Sequence, residues 1–508
     1  MLKSKNRCII TSMKLSIPKE ILDVYFKLKE GYLPAGRQDF QAYLVGGCVR
    51  DLLMDREPKD WDITTNATPE EVQKIFPESV YENQFGTVGV KTDSEDPRLK
   101  IIEITTFRLE GKYTDKRHPD EIKFAKTVGE DLSRRDFTIN AIALEIRNSK
   151  LEISLVDPFN GQVDLKCRLI ETVRSPEERF SEDALRLIRA IRFAAELNFK
   201  IGEETKGAIK KQAGLLQMIA KERIRDEVIK IIMTENAAQG IKMLVDYGLV
   251  DFIIPELRQG IGVSQNRHHI YEVFEHSVRS LDYAAKQGYS LEIRLASLFH
   301  DIGKPKTKRG EGLNSTFYGH EVVGARMTAR ILDRLHFPKD ISEKVIHLVR
   351  YHLFYYNVGE VTAAGVRRFL NRVGPENVED LIKVREADRI GSGVPKAVPY
   401  KIRHLLFMIE KVKRDPISPK MIKINGNDIM EILKIKSGPR IGWILSILLE
   451  EVLDDPKKNE KGKLEVRILE LGKLKDRELE KMAESAKNKK NEFESGAEEE
   501  MKRKFYVK

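Results

Sequence analysis

Apolar and polar positions follow two different periods along this chain. Between residues 43 and 157, short apolar runs with a period of two alternate with short helical patterns, which predicts strands interleaved with helices. From about residue 166 the spacing becomes that of amphipathic helices and stays so toward the C-terminal end. The pattern predicts an α+β N-terminal domain followed by all-α domains.

Local signals place single elements within this outline. Residues 21–28 have helical spacing, and a capping box that begins at Thr68 has a proline at the first helical position. Residues 131–144 and residues 181–198 are each predicted to form one helix. Ser181 is expected to cap the second of these helices.

The charge balance indicates the class of partner. The chain of 508 residues is 41% hydrophobic and 33% charged, as globular proteins are, and is long enough for several domains. A net charge of +10 favours a polyanionic partner, although charge alone does not separate RNA from a membrane surface. No apolar run is long enough to cross a bilayer, and the N-terminus lacks a signal-peptide core. Because Cys8, Cys48 and Cys167 lie far apart, we expect free thiols in a reducing cytoplasm.

Residues 43–65 combine two features that phosphate chemistry needs. They predict a strand that ends in Gly46 and Gly47, a short helix, and a second strand that carries Asp60 and Asp62. Side chains two apart on a strand share a face, so these carboxylates repel each other unless a cation lies between them. Their oxygens suit magnesium, and glycines before a helix N-terminus suit a phosphate. Together the two features indicate phosphoryl or nucleotidyl transfer.

The segments GGCVRDLL and DWDITT resemble the nucleotidyltransferase family of CCA-adding enzymes and bacterial poly(A) polymerases. The resemblance implies a polymerase-β-like domain with a mixed β-sheet, in which Asp60 and Asp62 hold two magnesium ions. It implies a third catalytic carboxylate, for which Glu103 is expected and Asp136 is the alternative. The block RRDFTINA also matches. The nucleotide-binding residues implied by position are Gly46, Gly47, Arg50, Arg134, Arg135, Asp136, Asn140, Asp183, Arg186 and Arg189.

Asp183 and Arg186 are three residues apart on a predicted helix, so they share one face. An intrahelical ion pair is the ordinary explanation of such spacing. In the family, however, an ED-x-x-R block acts as an amino-acid template for the incoming base. Arginine offers only donors and aspartate only acceptors, so the pair can match cytosine and adenine, whereas uracil and guanine present the wrong groups. Glu222 and Arg223 match a further block and are expected to orient this helix.

Most histidines lie between residues 256 and 395, on predicted helices or at their ends. A single histidine on an apolar helix is more often a packing residue than a ligand. The pair His300–Asp301 before Gly-Lys-Pro resembles the HD phosphohydrolase family, whose metal activates water for phosphoester hydrolysis. Such ligands suit manganese, nickel, cobalt or iron as well as magnesium. The metal ligands implied by the resemblance are His276, His300, Asp301 and Asp388. The residues implied to contact substrate or a second metal are His320 and His352, with His347 as the alternative to His352.

The patterns and resemblances divide the chain into six predicted segments. They are a helical lead-in and loop (1–42), a catalytic domain (43–165), a templating and RNA-binding neck (166–255), an HD domain (256–395), a helical RNA-binding body (396–455) and a charged tail (456–508).

The resemblance spans roughly residues 43–395 and implies a template-independent tRNA nucleotidyltransferase that completes the CCA end from CTP and ATP. Enzymes that add only the terminal A, or a poly(A) tail, are alternatives, because the base-reading pair accepts A in all three cases. A phosphohydrolase with an RNA-binding N-terminal domain is the alternative from another class. Both this phosphohydrolase and a non-catalytic RNA-binding protein would be expected to lack one of the paired carboxylates. Asp60 and Asp62 are both present.

Overall fold

The computed structural model divides into two compact units, which consist of residues 1–350 with 390–393, and residues 351–389 with 394–508. Cys48 and Cys167 are free thiols, as predicted, while the side chain of Cys8 lies outside the description. The residues that the structure describes are 7–10, 16–33, 36–37, 39–83, 86–110, 122–147, 152–266, 270–354, 356–394, 396–413 and 422–507.

Strands are concentrated in the N-terminal part of the first unit. They are β1 (Arg7–Ile10), β2 (Tyr32–Leu33), β3 (Gly36–Arg37), β4 (Ala42–Val45), β5 (Asp62–Thr65), β6 (Val80–Asn83), β7 (Thr87–Lys91), β8 (Ile101–Thr106), β9 (Arg108–Glu110), β10 (Ile122–Phe124), β11 (Ala143–Ile146), β12 (Ile153–Val156), β13 (Leu169–Ile170) and β14 (Lys200–Ile201).

Eight of these strands form one sheet in the spatial order β1-β12-β11-β4-β5-β8-β7-β6. Strands β5 and β8 are parallel neighbours, whereas the other neighbouring pairs are antiparallel. The predicted mixed sheet is thus confirmed. Strand β1 adds an edge strand within the segment that the sequence predicts as a helical lead-in and loop.

Helices accompany the sheet. The predicted capping box is present, since Thr68 accepts a hydrogen bond from the backbone of Glu71 and the Glu71 carboxylate accepts one from the backbone of Thr68. The helices are α1 (Lys19–Glu30), α2 (Gly47–Leu53), α3 (Pro69–Ile75), α4 (Val128–Ser133) and α5 (Gly161–Cys167), with a 3-10 turn at Thr138–Asn140.

The two faces of the sheet bury different sets of side chains. Ile63 and Ile104 belong to a core that includes buried residues of α1, α2 and α3. Tyr43 and Val45 point to the opposite face, where they pack with Leu132 of α4 and its neighbours. Both faces of the central strands are therefore covered, and the second face is the one that carries the catalytic candidates.

The prediction of one helix over residues 131–144 is wrong. Helix α4 ends at Ser133, Phe137 is extended with φ −124° and ψ 146°, and Ala143–Ile146 is a sheet strand between β4 and β12. A short apolar run that is buried on both sides does not distinguish helix from strand by its period. Pairing with two neighbouring strands decides in favour of the strand.

A helical neck follows the sheet. Residues 181–198 do not form one helix, because Asp183 is extended with φ −133° and ψ 105° and separates α6 from α7. Ser181 therefore lies within α6, and the capping residue is Ser175, which accepts a hydrogen bond from the backbone of Glu178. The neck helices are α6 (Pro176–Glu182), α7 (Leu185–Leu197), α8 (Glu203–Gln212), α9 (Lys221–Ile232), α10 (Ala237–Asp246) and α11 (Val250–Ile253).

The histidine-rich region continues the first unit as helices, as predicted. These are α12 (Val273–Lys286), α13 (Leu291–Phe299), α14 (Lys304–Thr307), α15 (His320–Arg334) and α16 (Lys339–Tyr351).

The second unit contains helices with a core of its own. Apolar residues of the last four helices form this core, with Ile444 and Leu448 of the predicted apolar helix at its centre. Apart from the last two residues of α18, which belong to the first unit, the helices are α17 (Ala363–Val373), α18 (Val378–Gly391), α19 (Tyr400–Lys413), α20 (Gly426–Leu433), α21 (Pro439–Asp454), α22 (Lys461–Leu471) and α23 (Asp476–Lys504). In the described part of the chain, every helix is too short or too polar to pass through a bilayer.

Candidate active site and metal centre

The catalytic candidates meet where β5 and β8 run side by side. Asp62 is the first residue of β5 and lies directly opposite Glu103 in the parallel register, so both side chains point to the same face. Asp60 lies in a bend before the strand, not on the strand as predicted. Strand β4 ends at Val45, opposite Asp62, because the chain turns at Gly46 into α2, and Asp60 therefore has no β4 partner.

Gly46 brings the backbone close to the carboxylate. Its φ of +79° lies in the left-handed region, which favours glycine. A Cβ atom at this position would lie 3.0 Å from Nη1 of Arg135 and 3.2 Å from Oδ2 of Asp62. Any larger residue would therefore displace both side chains, which explains why the glycine motif and the carboxylate motif belong to one site.

The electrostatics of Asp62 fit a bound cation. Burial raises the pKa of Asp62, Arg135 lowers it, and the charge of Asp60 raises it, with a net increase above the ordinary value. Asp60 and Glu103 are exposed, so the site is open to solvent. An electronegative site with oxygen donors and free access suits magnesium, and these three residues are the ones that would hold it.

Two predicted arginines flank this face. Arg134 Nε donates to Oδ1 of the buried Asp131 at 2.9 Å, and Arg135 Nη2 lies 3.5 Å from Oδ2 of the same carboxylate. Asp131 was not predicted as a site residue. Its position in the first turn of a helix before an Arg-Arg pair is ordinary, and its complete burial is visible only in the structure.

Four other predicted nucleotide-binding residues bind one another. Arg50 Nη1 donates to Asn140 at 3.0 Å, Asn140 Nδ2 donates to Asp136 at 3.3 Å, and Arg189 donates to Asp136 at 2.6 and 2.8 Å. Burial opposes ionisation of Asp136, but Arg189 and Arg186 outweigh it and bring its pKa down to about 2. This chain of contacts connects α2 to the neck helix α7.

The base-reading candidates have separate partners. Asp183 accepts hydrogen bonds from Arg223 at 2.9 Å and from the backbone of Leu185 at 3.0 Å. Arg186 is buried and binds Glu182 at 2.6 Å. The intrahelical pair between Asp183 and Arg186 that their spacing suggests is thus replaced by two other ion pairs. Arg223 orients Asp183 at the helix break.

The histidine cluster is a compact group of potential ligands in the first unit. Nε2 of His276 lies 2.9 Å from Nε2 of His300, and these two atoms lie 3.0 and 3.2 Å from Oδ2 of Asp301. Nε2 of His320 lies 3.3 Å from the other oxygen of Asp301. The Nε2 atoms of His276 and His300 and Oδ2 of Asp301 lie about 3 Å from one another, and these side chains are the ones that would hold a divalent metal ion.

Backbone contacts orient two of these rings. Nδ1 of His300 lies 2.8 Å from the carbonyl oxygen of Ser297, and Nδ1 of His320 lies 2.7 Å from that of Phe317. Nδ1 of each ring thus faces a carbonyl oxygen, and Nε2 is the nitrogen that faces Asp301. This is the arrangement that outer contacts impose on metal-binding histidines.

Lys304 is a component that sequence reasoning did not select. Its buried ammonium group forms an ion pair with Asp301 Oδ2 and donates a hydrogen bond to Gln265 Oε1, each at 2.6 Å. Burial opposes ionisation of Asp301, yet His300 and Lys304 hold its pKa well below the ordinary value. The Gly-Lys-Pro segment that follows His300–Asp301 contains this lysine. Its Gly303 is required because a Cβ atom there would lie 2.3 Å from the carbonyl oxygen of His320.

The remaining histidine-region candidates are Asp388, His352 and His347. Asp388 lies on α18 and His352 follows α16, both within the second unit, where Asp388 accepts a hydrogen bond from Arg385 at 2.6 Å. His347 lies inside α16. Their roles as ligands or substrate contacts stay predictions.

Three family profiles match the chain. Residues 42–171 match the Poly A polymerase head domain, residues 198–260 match the probable RNA and SrmB-binding site of polymerase A, and residues 273–391 match the HD domain.

Curated relatives match over different lengths. A CCA-adding enzyme of a Geobacillus species is 33% identical over 84% of this chain and 92% of that enzyme. An A-adding tRNA nucleotidyltransferase of Deinococcus radiodurans is 32% identical over 80% of this chain and 91% of that enzyme. The match to a CCA-adding enzyme of Lactobacillus helveticus is 44% identical but spans about half of both proteins, 44% of this chain and 54% of that enzyme.

Solved structures share the fold. The CCA-adding enzyme of Bacillus stearothermophilus in complex with CTP aligns with a TM-score of 0.57 and 27% identity, over 89% of this chain and 98% of that one. The Thermotoga maritima CCA-adding enzyme complexed with tRNA aligns with a TM-score of 0.52 over 92% and 99%, and at 21% identity this likeness shows the fold alone. With relatives above 30% identity along nearly their whole length, the chain belongs to the tRNA nucleotidyltransferases of the class II CCA-adding enzyme and poly(A) polymerase family, and it carries an HD domain.

Proposed function

We propose that this enzyme completes the CCA end of tRNA by adding nucleotides from CTP and ATP. The observation that supports this most directly is the register of Asp62 and Glu103 on neighbouring strands, with Asp60 beside them and the close backbone approach at Gly46. The CTP complex of a relative with the same fold supports the choice of nucleotide. The net charge of +10 suits the polyanionic tRNA.

The site formed by Gly46, Asp60, Asp62, Glu103, Arg134 and Arg135 is called the head site, and each group in it has a distinct task in this proposal. Asp60, Asp62 and Glu103 hold the cations. Magnesium, when bound, would favour ionisation of the primer hydroxyl and offset the charge of the departing pyrophosphate. Arg134 and Arg135 offer guanidinium donors to the triphosphate, and Gly46 keeps the space between Asp62 and Arg135 clear of a side chain. The exposure of Asp60 leaves room for both nucleotide and primer.

Base choice is assigned to Asp183 and Arg186. Arg223 holds the first and Glu182 holds the second, so the acceptor and the donor are presented separately. A base that leaves such buried groups unpaired is rejected strongly. Arg186→Ala should therefore reduce the preference for CTP over UTP by about tenfold or more, measured as a ratio of kcat/KM values. An unchanged preference for CTP over UTP would show that Arg186 has only a structural role.

The direct test uses tRNA that lacks the CCA end. With CTP alone the enzyme should add two residues, and with CTP and ATP together it should add three and then stop. Absence of any CTP incorporation would overturn the proposal in favour of an A-adding enzyme. Continued addition of A would identify a poly(A) polymerase.

The A-adding alternative has specific support. The A-adding tRNA nucleotidyltransferase of Deinococcus radiodurans matches this chain as extensively as the Geobacillus CCA-adding enzyme does. An A-adding enzyme would extend tRNA that already ends in CC and would leave tRNA without these residues unchanged. The two substrates, assayed in parallel, separate the alternatives.

A second activity is assigned to the HD domain. The convergence of His276, His300 and Asp301 supports metal-dependent phosphoester hydrolysis there. Asp388 is proposed as a further ligand, and His320 and His352 as contacts to substrate or a second metal. Release of phosphate or cleavage of cyclic phosphodiesters in the presence of manganese or nickel, lost in His300→Ala, would support it. If the wild-type chain added no nucleotide to tRNA while this hydrolysis persisted, the phosphohydrolase with an RNA-binding N-terminal domain would be the better description.

A further inference from the structure

Asp131 is a completely buried acidic side chain near the head site. It lies in α4, on the sheet face that carries Asp62, and its exposed fraction is 0%. Its Oδ1 accepts hydrogen bonds from Arg134 Nε at 2.9 Å and from the backbone N–H of Arg108 at 3.3 Å. An ionised buried carboxylate needs such compensation, because burial alone strongly disfavours its charge.

The second oxygen of Asp131 is not satisfied in the same way. Within the described residues, Oδ2 of Asp131 and Nε of Arg135 are both buried and both lack a hydrogen-bond partner. The nearest ionic contact between these side chains is 3.5 Å, from Arg135 Nη2 to Asp131 Oδ2. Buried polar groups are rarely left like this, so an incomplete bond at this position requires an explanation.

Arg135 lies between two carboxylates. Its Nη2 faces Asp131, while its Nη1 and Oδ2 of Asp62 both lie within 3.2 Å of the point where a Cβ of residue 46 would be. If this guanidinium moved onto Oδ2 of Asp62, it would compete with a metal ion for the same oxygen. The competition depends on how strongly Asp131 holds the arginine on the other side.

We propose that Asp131 is a positioning residue that holds Arg135 away from Asp62 and thereby keeps the catalytic carboxylate available to a divalent cation. The inference rests on the proposed cation-binding role of Asp62. Through its bond to Arg134, the same buried carboxylate also fixes the first member of the Arg-Arg pair. When the cation and triphosphate enter, Arg135 can turn to the phosphate oxygens without breaking a well-formed bond, which is the functional reason for the incomplete contact.

The test measures Mn²⁺ binding to the nucleotide-free full chain by electron paramagnetic resonance. The Mn²⁺ that is no longer bound in Asp62→Asn defines the head site and separates it from binding at the histidine cluster. Asp131→Asn, which has the same shape, should weaken this binding by about 10- to 100-fold, the range seen when outer contacts of metal ligands are removed. Asp157→Asn is the matched control, because Asp157 is also buried in this domain but binds the backbone of Gly161 and Gln162, and it should bind Mn²⁺ normally.

A second substitution separates positioning from general structural support. If Arg135 blocks Asp62 in Asp131→Asn, adding Arg135→Gln should restore the Mn²⁺ affinity to within about threefold of wild type. Arg135→Gln alone should tighten Mn²⁺ binding, a result that does not depend on the folding of any Asp131 variant. Unchanged binding in Asp131→Asn, failure of the double variant to recover, or unchanged or weaker binding in Arg135→Gln would each overturn the inference. If wild type and Asp62→Asn bind Mn²⁺ equally, the cation-binding role of Asp62 itself fails.

Discussion

The head carboxylates and the histidine cluster, which are the two proposed cation sites, have opposite environments. In the head site, Asp60 and Glu103 are exposed, and the pKa of Asp62 is raised above its ordinary value. In the histidine cluster, Asp301 is buried, and its pKa is held well below the ordinary value by His300 and Lys304. The first site is open to solvent with the Arg135 side chain near Asp62, whereas the second encloses the ammonium group of Lys304 against Asp301.

This difference indicates how each site is used. An open, electronegative site accepts a cation together with a large substrate such as a nucleotide and the end of an RNA. In the buried site Lys304 already balances the charge of Asp301, so a metal ion that bound there would add positive charge beside the ammonium group. The ionised carboxylate of Asp62 therefore destabilises the folded protein, whereas the ionised carboxylate of Asp301 stabilises it.

The largest expected effect concerns Asp62 in catalysis. Asp62→Asn should reduce nucleotide addition by at least about 1000-fold, a loss of roughly 4 kcal/mol of transition-state stabilisation, because a cation ligand is removed. Radioactive CTP incorporation into tRNA without its CCA end measures this. Asp23→Asn, on the exposed side of α1, is the control and should retain full activity. If Asp62→Asn still added nucleotides at the wild-type rate, Asp62 would not be a cation ligand, and the contrast between the two proposed cation sites would fail.

Asp301 should behave differently. Asp301→Asn leaves the buried ammonium group of Lys304 without its carboxylate, which typically costs about 3 kcal/mol or more, so the melting temperature should fall. Nucleotide addition at permissive temperature should persist. In the matched double variant Asp301→Asn with Lys304→Met, both charges are absent and much of the stability should return. A double variant as unstable as the single one would show that the ion pair is not the cause.

Acid sensitivity offers a third comparison within the head and neck. The pKa of Asp136 is lowered from 3.8 to about 2, so its ionised form stabilises the folded state above pH 4. This contribution, about 2 kcal/mol, is lost as the pH falls from 4 toward 2. Asp136→Asn should therefore be less stable than wild type at neutral pH, and the difference should vanish near pH 2. Thermal melts across this pH range measure it, and a constant difference would argue against the ion pair with Arg189.

The sequence predicted which side chains lie together better than it predicted the elements that carry them. The two-residue period placed Glu103 and Thr105 on one strand face, and pairing put Glu103 opposite Asp62 as the predicted third carboxylate requires. The helix boundaries around Asp136 and Asp183 were wrong, because the apolar run after Phe137 is buried on both sides and because Asp183 itself ends α6. Local periodicity does not contain the partner strands and distant arginines that decide such places.

The sequence also did not reveal which charged residues are buried against a group of opposite charge. Asp131 and Lys304 look ordinary in sequence, since one is an acid near a helix start and the other a lysine after a glycine. Their importance comes from burial beside a group of opposite charge, which depends on elements distant in the chain. Arg223 in contact with Asp183 shows the same dependence, although its family block did indicate an orienting role.

The smallest expected effect tests the sign of the comparison directly. The pKa of Asp62 is raised in the folded state, so at pH values above both its folded and unfolded pKa its charge destabilises the fold, and below them it has no effect. In the absence of divalent cations, Asp62→Asn should therefore melt at a slightly higher temperature than wild type near neutral pH, whereas Asp301→Asn melts at a lower one. Magnesium should raise the melting temperature of wild type more than that of Asp62→Asn, because the variant has lost the carboxylate that the cation stabilises. If Asp62→Asn were instead less stable without magnesium, the carboxylate would be paired with Arg135 as a structural ion pair, and the two sites would not differ in kind.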